Sequence, residues 1–309
     1  MSTPTATQQP TPSSSLKRLI NRHPLVAYFV LAFAGTWIPL LPLVLSQDGI
    51  GLLAFRLPDV AAGVLFILSG FTGPTLAAFI VTAATSGKAG VRHLLRRYVQ
   101  WRVGVHWYLL VLFGYPIVFL LGASVVLGAT PLNALIQQWP LIFSSYLPSL
   151  LTFHLITRLG EEPGWRGFAL PRLQQQYGAL LGSLILGTLH AAWHLPLFFI
   201  PAFGVGALTI PSFVTFVLSG MPHTLLWTWI YNNTRGSLLM MILVHSASGA
   251  AQSFLLQLIP VVPNEADVAI WINRVLGACA LLIIIFTRGR LSYKPNHVSQ
   301  TADAPLTKE

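Results

Sequence analysis

Only eight acidic residues occur among 309, and two of them stand side by side as Glu161-Glu162. They are the only carboxylates between Asp59 and Glu265, and they close a long apolar run. A carboxylate near hydrocarbon costs a few kcal/mol unless it is paired, protonated or hydrated. The run continues Pro163-Gly164-Trp165-Arg166. Arg166 lies four residues after Glu162, within reach across one helical turn, so Glu162 is expected to pair with Arg166 and Glu161 to point elsewhere. Pro163 disfavours helical backbone at Glu162. The helix should therefore kink or break here, a break tolerated only against protein or a water-filled cavity. A solvated loop at headgroup level is the plainer reading of the same residues.

Histidines form the second group. His23, His93, His106 and His297 fall in polar stretches, whereas His154, His190, His194, His223 and His245 fall within apolar ones. A lone histidine in a membrane helix is usually a hydrogen-bonded packing residue; five beside a carboxylate pair can move protons or hold an ion. His190 and His194 share one helix face at i, i+4, a spacing that lets two imidazoles meet one ion. Pro196 should bend that helix beside His194. His154 lies two turns before Glu161. His245 is followed by small residues, Ser246 to Ala251, which let another helix or a substrate backbone come close. Zincin, nucleophile-elbow, P-loop and Cys-x-x-Cys motifs are absent.

These residues need a membrane scaffold to position them. The chain is 54% hydrophobic and 8% charged, against roughly 25% charged in soluble domains. Crossing ~30 Å of hydrocarbon takes about 20 apolar residues, and eight stretches qualify: 24–46, 60–85, 107–128, 139–159, 178–200, 208–231, 236–259 and 267–287. The expected fold is all-α, a polytopic bundle of about eight transmembrane helices forming one domain over 24–290. Residues 1–23 are expected to be a disordered polar tail with a basic anchor, and 291–309 a mobile polar tail. Sixteen of the eighteen Lys and Arg fall on one side of this topology and only Arg56 and Arg274 on the other, which predicts both termini in the cytoplasm of a multi-pass cell-membrane protein. The net charge of +10 then reads as affinity for anionic lipids, not nucleic acid. The single cysteine, Cys279, excludes a disulfide scaffold.

Glu161-Glu162-x-x-x-Arg166, Trp193-His194-Leu195-Pro196-Leu197-Phe198 and His245, in that order on separate spans, resemble the CPBP family of intramembrane endopeptidases. That family includes the CAAX prenyl proteases and bacteriocin-processing, Abi-type proteins. EEPGWRGFALPRL (Glu161 to Leu173) and Trp229-x-Tyr231-Asn232-x-Thr234-x-Gly236-Ser237 add to the likeness, which covers about 150–255. The resemblance implies a glutamate-dependent metalloendopeptidase acting on a membrane peptide or protein, including a lipid-modified one. It makes Glu161 the general base, His194 and His245 its catalytic partners, and Glu162 with Arg166 the orienting pair. The implied metal ligands are His194, His245 and Glu161, with His190 as an additional candidate. Imidazole and carboxylate ligands with an open position suit zinc among divalent metals. Two positions depart from the family pattern: His190 replaces the usual aromatic, and Gly249 the usual asparagine of His-x-x-x-Asn. Losing one oxyanion donor typically costs ~10²–10³ in rate; Gln252 or Ser248 could replace it. Two other readings stand beside this one: a weak or inactive member acting as a membrane scaffold or bacteriocin-immunity protein, and a proton-coupled transporter.

Overall fold

The computed structural model describes residues 15–203, 208–260 and 265–295. Among them there are helices and no strands: α1 Ser15–Arg22, α2 Pro24–Leu45, α3 Asp59–Tyr98, α4 Val105–Leu127, α5 Thr130–Gln137, α6 Ile142–Leu159, α7 Leu170–Tyr177, α8 Ala179–Trp193, α9 Ile210–Asn233, α10 Leu238–Leu258 and α11 Glu265–Phe286. A π-helical segment, Pro163–Ala169, leads into α7, and 3₁₀ turns follow α8. Seven helices are long and apolar enough to cross a membrane. The bent pair α5 and α6, turned by 85°, raises the number to eight, so the expected all-α membrane bundle is the observed architecture.

The outer faces of the helices carry apolar side chains. On α2, Val26, Val30, Ile38 and Leu41 face outward, while Tyr28, Ala32, Thr36 and Leu40 are buried. Large aliphatics outside and small or hydroxyl-bearing residues inside are what lipid exposure and close helix packing require. α10 is the central helix, with 67% of its apolar stretch buried against 22–39% for the other single-helix spans; it packs along α4 and α6.

Three boundaries differ from expectation. Residues 15–22 form a helix, not a disordered tail, with Ile20 packed against the core; residues 1–14 lie outside the described residues. Residues 291–295 are described, and Leu291 packs into the bundle. Leu291 is fully buried and its carbonyl accepts from Asn232 Nδ2 at 2.9 Å, and only 296–309 lie outside the described residues. The second span continues beyond 85 through Gly87, whose φ of 61° interrupts the helix, to Tyr98.

That extension carries a buried cation. Arg97, 4% exposed, donates from Nε to Gly236 O (2.8 Å), from Nη1 to Gly167 O (2.9 Å), and from Nη2 to Arg166 O (3.2 Å) and Tyr231 Oη (2.8 Å). One guanidinium therefore ties α3 to the π-helical segment and to the α9–α10 turn. Without it, several buried carbonyls lose their donors, each worth ~1–3 kcal/mol. Arg97→Gln is expected to destabilise the protein by about 3 kcal/mol in thermal unfolding of the detergent-solubilised chain. Arg97→Lys should recover only part of this, because an ammonium lacks the planar fork; a fully stable lysine variant would contradict the clamp.

Candidate active site

The site is built on a controlled break. α6 ends at Leu159, and Thr75 Oγ1 donates to the carbonyls of Gly160 (2.8 Å) and Leu159 (3.3 Å). Thr75 ends a π-helical turn, Phe71–Thr75, inside α3; such turns relax the helical ladder at functional positions. The break lies at Gly160-Glu161, earlier than expected. Glu162 itself is helical (φ −63°, ψ −33°), because Pro163 takes the first position of a new helical segment, where its missing N–H costs nothing. Gly164 seats this segment against α2: a Cβ there would lie 2.5 Å from Tyr28 Oη.

The break sends the two carboxylates in different directions. Glu162 is fully buried and accepts at Oε1 from Arg166 Nη1 (3.0 Å) and His245 Nδ1 (2.7 Å). Arg166, also fully buried, lies 4.7 Å from the centre of the Trp227 ring, and Trp227 packs against His245 with centroids 4.4 Å apart and the rings tilted by 40°. Glu161, 4% exposed, is bound at Oε1 by Arg158 Nη1 and at Oε2 by His190 Nε2 at 3.1 Å. Each acid thus has its own arginine and its own imidazole.

The imidazole tautomers follow from these bonds. His194 Nδ1 lies 2.9 Å from His190 O; a carbonyl only accepts, so Nδ1 carries the proton and Nε2 is left as a lone pair. His245 donates through Nδ1 to Glu162, which likewise leaves Nε2 as the outward nitrogen.

Ligand atoms of Glu161, His190 and His194 lie within 4.8 Å of one another. Among the described residues the group contains His190, the additional candidate, and not His245, whose ligand atoms are not within that distance of all three. Two ligands on one tetrahedral zinc sit roughly 3.4 Å apart, close to the 3.1 Å between Glu161 Oε2 and His190 Nε2. An ion there would replace the proton that His190 Nε2 shares with Glu161, and the N₂O donor set then fits it.

Two cavities meet at this group. The larger, about 580 Å³, is lined by His190, His194, His245, His223, Trp227 and Gln252, among others. The smaller, about 170 Å³, is lined by Glu161, Thr157, Thr36 and Ser69; Arg158 and His194 line both. His223 belongs to a separate polar string, with Nδ1 3.0 Å from Tyr115 Oη, which accepts from Trp227 Nε1 at 2.7 Å. Two residues that matter, Arg158 and Arg97, enter the sequence reading only through the count of basic residues. The i, i+3 spacing of Arg158 and Glu161 could have revealed the first; the second depends on partners 69 to 139 residues away.

Residues 143–251 match the family model of the type II CAAX prenyl endopeptidases, Rce1-like. The chain is also similar to CAAX prenyl protease 2 of Methanococcus maripaludis, with 27% identity over 192 residues, 59% of this chain and 69% of that protein. The family match falls on the segment that carries the Glu161-Glu162, His194 and His245 motifs, and both likenesses support the CPBP family. The family and its relative support a CAAX-protease-like function within a multi-pass membrane protein.

The place of the asparagine in His-x-x-x-Asn is filled differently in this chain. A Cβ on Gly249 would lie 2.5 Å from His154 Nδ1 and 2.7 Å from Cε1. The His154 ring therefore occupies the space a side chain at 249 would need, and its Nε2 lies 3.4 Å from Ser253 Oγ. It makes no contact with Glu161 among the described hydrogen bonds, although it lies two turns before it. Ser248 is buried and donates to His245 O at 2.7 Å, so its proton is committed; Gln252 lines the larger cavity and makes no hydrogen bond to protein among the described residues. Gly249→Ala should cost about 1–3 kcal/mol by overpacking, and His154→Ala in the same chain should recover much of it. Thermal unfolding of the two single variants and the double variant measures this; simple additivity would show that the residues do not share the space.

Proposed function

We propose that this protein is an intramembrane endopeptidase that hydrolyses a peptide bond with water activated by Glu161. The observation that carries the reading is the Glu161 carboxylate, held by Arg158 and His190 where two cavities meet, beside the lone pair of His194 Nε2. Water between Glu161 and His194 gives its proton to the carboxylate as its oxygen attacks the scissile carbonyl. The same proton then passes to the leaving amine as the C–N bond breaks, one group serving as base and then acid. Arg158 and Gln252 line the larger cavity and are the donors available to the developing oxyanion. Glu162, Arg166 and His245 keep this geometry in place.

Zinc or another divalent ion held by Glu161, His190 and His194 would polarise the carbonyl and lower the pKa of water. The larger cavity combines histidines with Phe119, Phe216, Trp227 and Leu255, a lining suited to a peptide bearing an apolar group. The relative's name, CAAX prenyl protease, supports a lipid-modified substrate. We place the basic ends of the bundle, and both termini, on the cytoplasmic side of the cell membrane. Gly249, which leaves no side-chain amide after His245, favours one alternative, a scaffold that binds such peptides without cutting them.

Glu161→Gln is expected to lower the cleavage rate ~10²–10⁴-fold while leaving the thermal stability close to that of the parent. Elemental analysis should find the ion lost from His190→Ala and His194→Ala but kept in His245→Ala. Cleavage by Glu161→Gln at the parental rate would overturn the assignment, and a binding-only protein would form no product with either chain.

A further inference from the structure

A second concave site lies far along the chain from the motif residues. Where the α7–α8 turn meets the segment after α11, an open groove of about 840 Å³ is lined by Gln175, Tyr177, Leu181, Leu184, Arg288 and Arg290, among others. Its position relative to the bundle follows from the helix ends. α8 begins at Ala179 and α11 ends at Phe286; α11, and α8 with its 3₁₀ continuation to Phe199, are membrane-crossing by length and composition. Residues 174–178 and 287–295 therefore lie just outside the hydrocarbon layer, and Leu181 and Leu184 just inside it. The segment bearing the arginines is anchored. Leu291 is buried with Ala179 and Ala280, and Asn232 Nδ2 donates both to Leu291 O (2.9 Å) and to Gln174 Oε1 (2.8 Å).

The groove has two chemical ends. On the polar side, Arg288 and Arg290 are exposed, and neither makes a side-chain hydrogen bond or ion pair among the described residues. No acidic residue lines it. On the other side Leu181, 51% exposed, and Leu184, 36% exposed, continue down the outward face of α8. A ligand that satisfies both must be an amphiphile with an anionic head and an apolar tail lying along a membrane helix.

We propose that this groove holds an anionic phospholipid, its phosphate between Arg288 and Arg290 and an acyl chain along Leu181 and Leu184. Each basic residue near an anionic surface strengthens binding about fivefold, so the pair should contribute ~25-fold.

The test is binding of dioleoyl-phosphatidylglycerol to the full chain in detergent, followed by native mass spectrometry. Dioleoyl-phosphatidylcholine and inorganic phosphate serve as comparison arms. The variant R288Q/R290Q should bind phosphatidylglycerol ~25-fold more weakly. R92Q/R96Q, which removes two exposed arginines of α3, should change it less than about threefold. Unchanged thermal unfolding without lipid would show that both variants fold. Equal losses in the two variants would mean diffuse surface charge and overturn the site. Displacement of the lipid by millimolar inorganic phosphate would make it a free-anion site and overturn the lipid assignment. Binding of phosphatidylcholine as tight as that of phosphatidylglycerol would do so as well.

Discussion

Two adjacent carboxylates inside a membrane bundle must be kept from acting as one repelling pair, and the chain solves this by burying one completely. Glu162 is held by Arg166 and His245 in a region with no exposure, and Arg166 is covered in turn by Trp227. An uncompensated buried charge costs several kcal/mol, so these four residues, from three helical elements, are bound to stay together. Their rigidity fixes the direction in which Glu161 leaves the backbone. Glu161 is positioned by its neighbour's burial.

The irregular backbone serves the same end. A break within a membrane segment exposes carbonyls that must be satisfied internally. Here the Thr75 hydroxyl takes those of Leu159 and Gly160, and Arg97 takes those of Arg166 and Gly167. A threonine and an arginine from one helix therefore bracket the motif on both sides. The π-helical segment between them turns Arg166 back toward Glu162 and exposes Glu161 to the second cavity.

How much of this could be read from the chain alone follows the range of each interaction. The spans depend on local hydropathy and are legible to within a few residues, except the second, whose polar extension to Tyr98 carries no hydropathy signal. The Glu162–Arg166 pair is an i, i+4 contact and was legible for the same reason. The expected break was displaced because Pro163 can begin a helix as well as end one. Which histidine joins Glu161 was not legible, since His190 and His245 lie on different helices and only packing brings one of them to 3.1 Å. The match of His154 to Gly249, across 95 positions, is of the same kind: the missing side chain is visible in the sequence, but the ring that fills its place is not.

The division of labour between the two carboxylates can be measured at a bound ion. X-ray absorption at the zinc edge counts imidazoles in the ligand shell. The account predicts two imidazoles and one carboxylate in the parent protein, and the same shell in His245→Ala. A parent shell of three imidazoles, reduced to two in that variant, would place His245 Nε2 on the ion and contradict the ligand set of Glu161, His190 and His194.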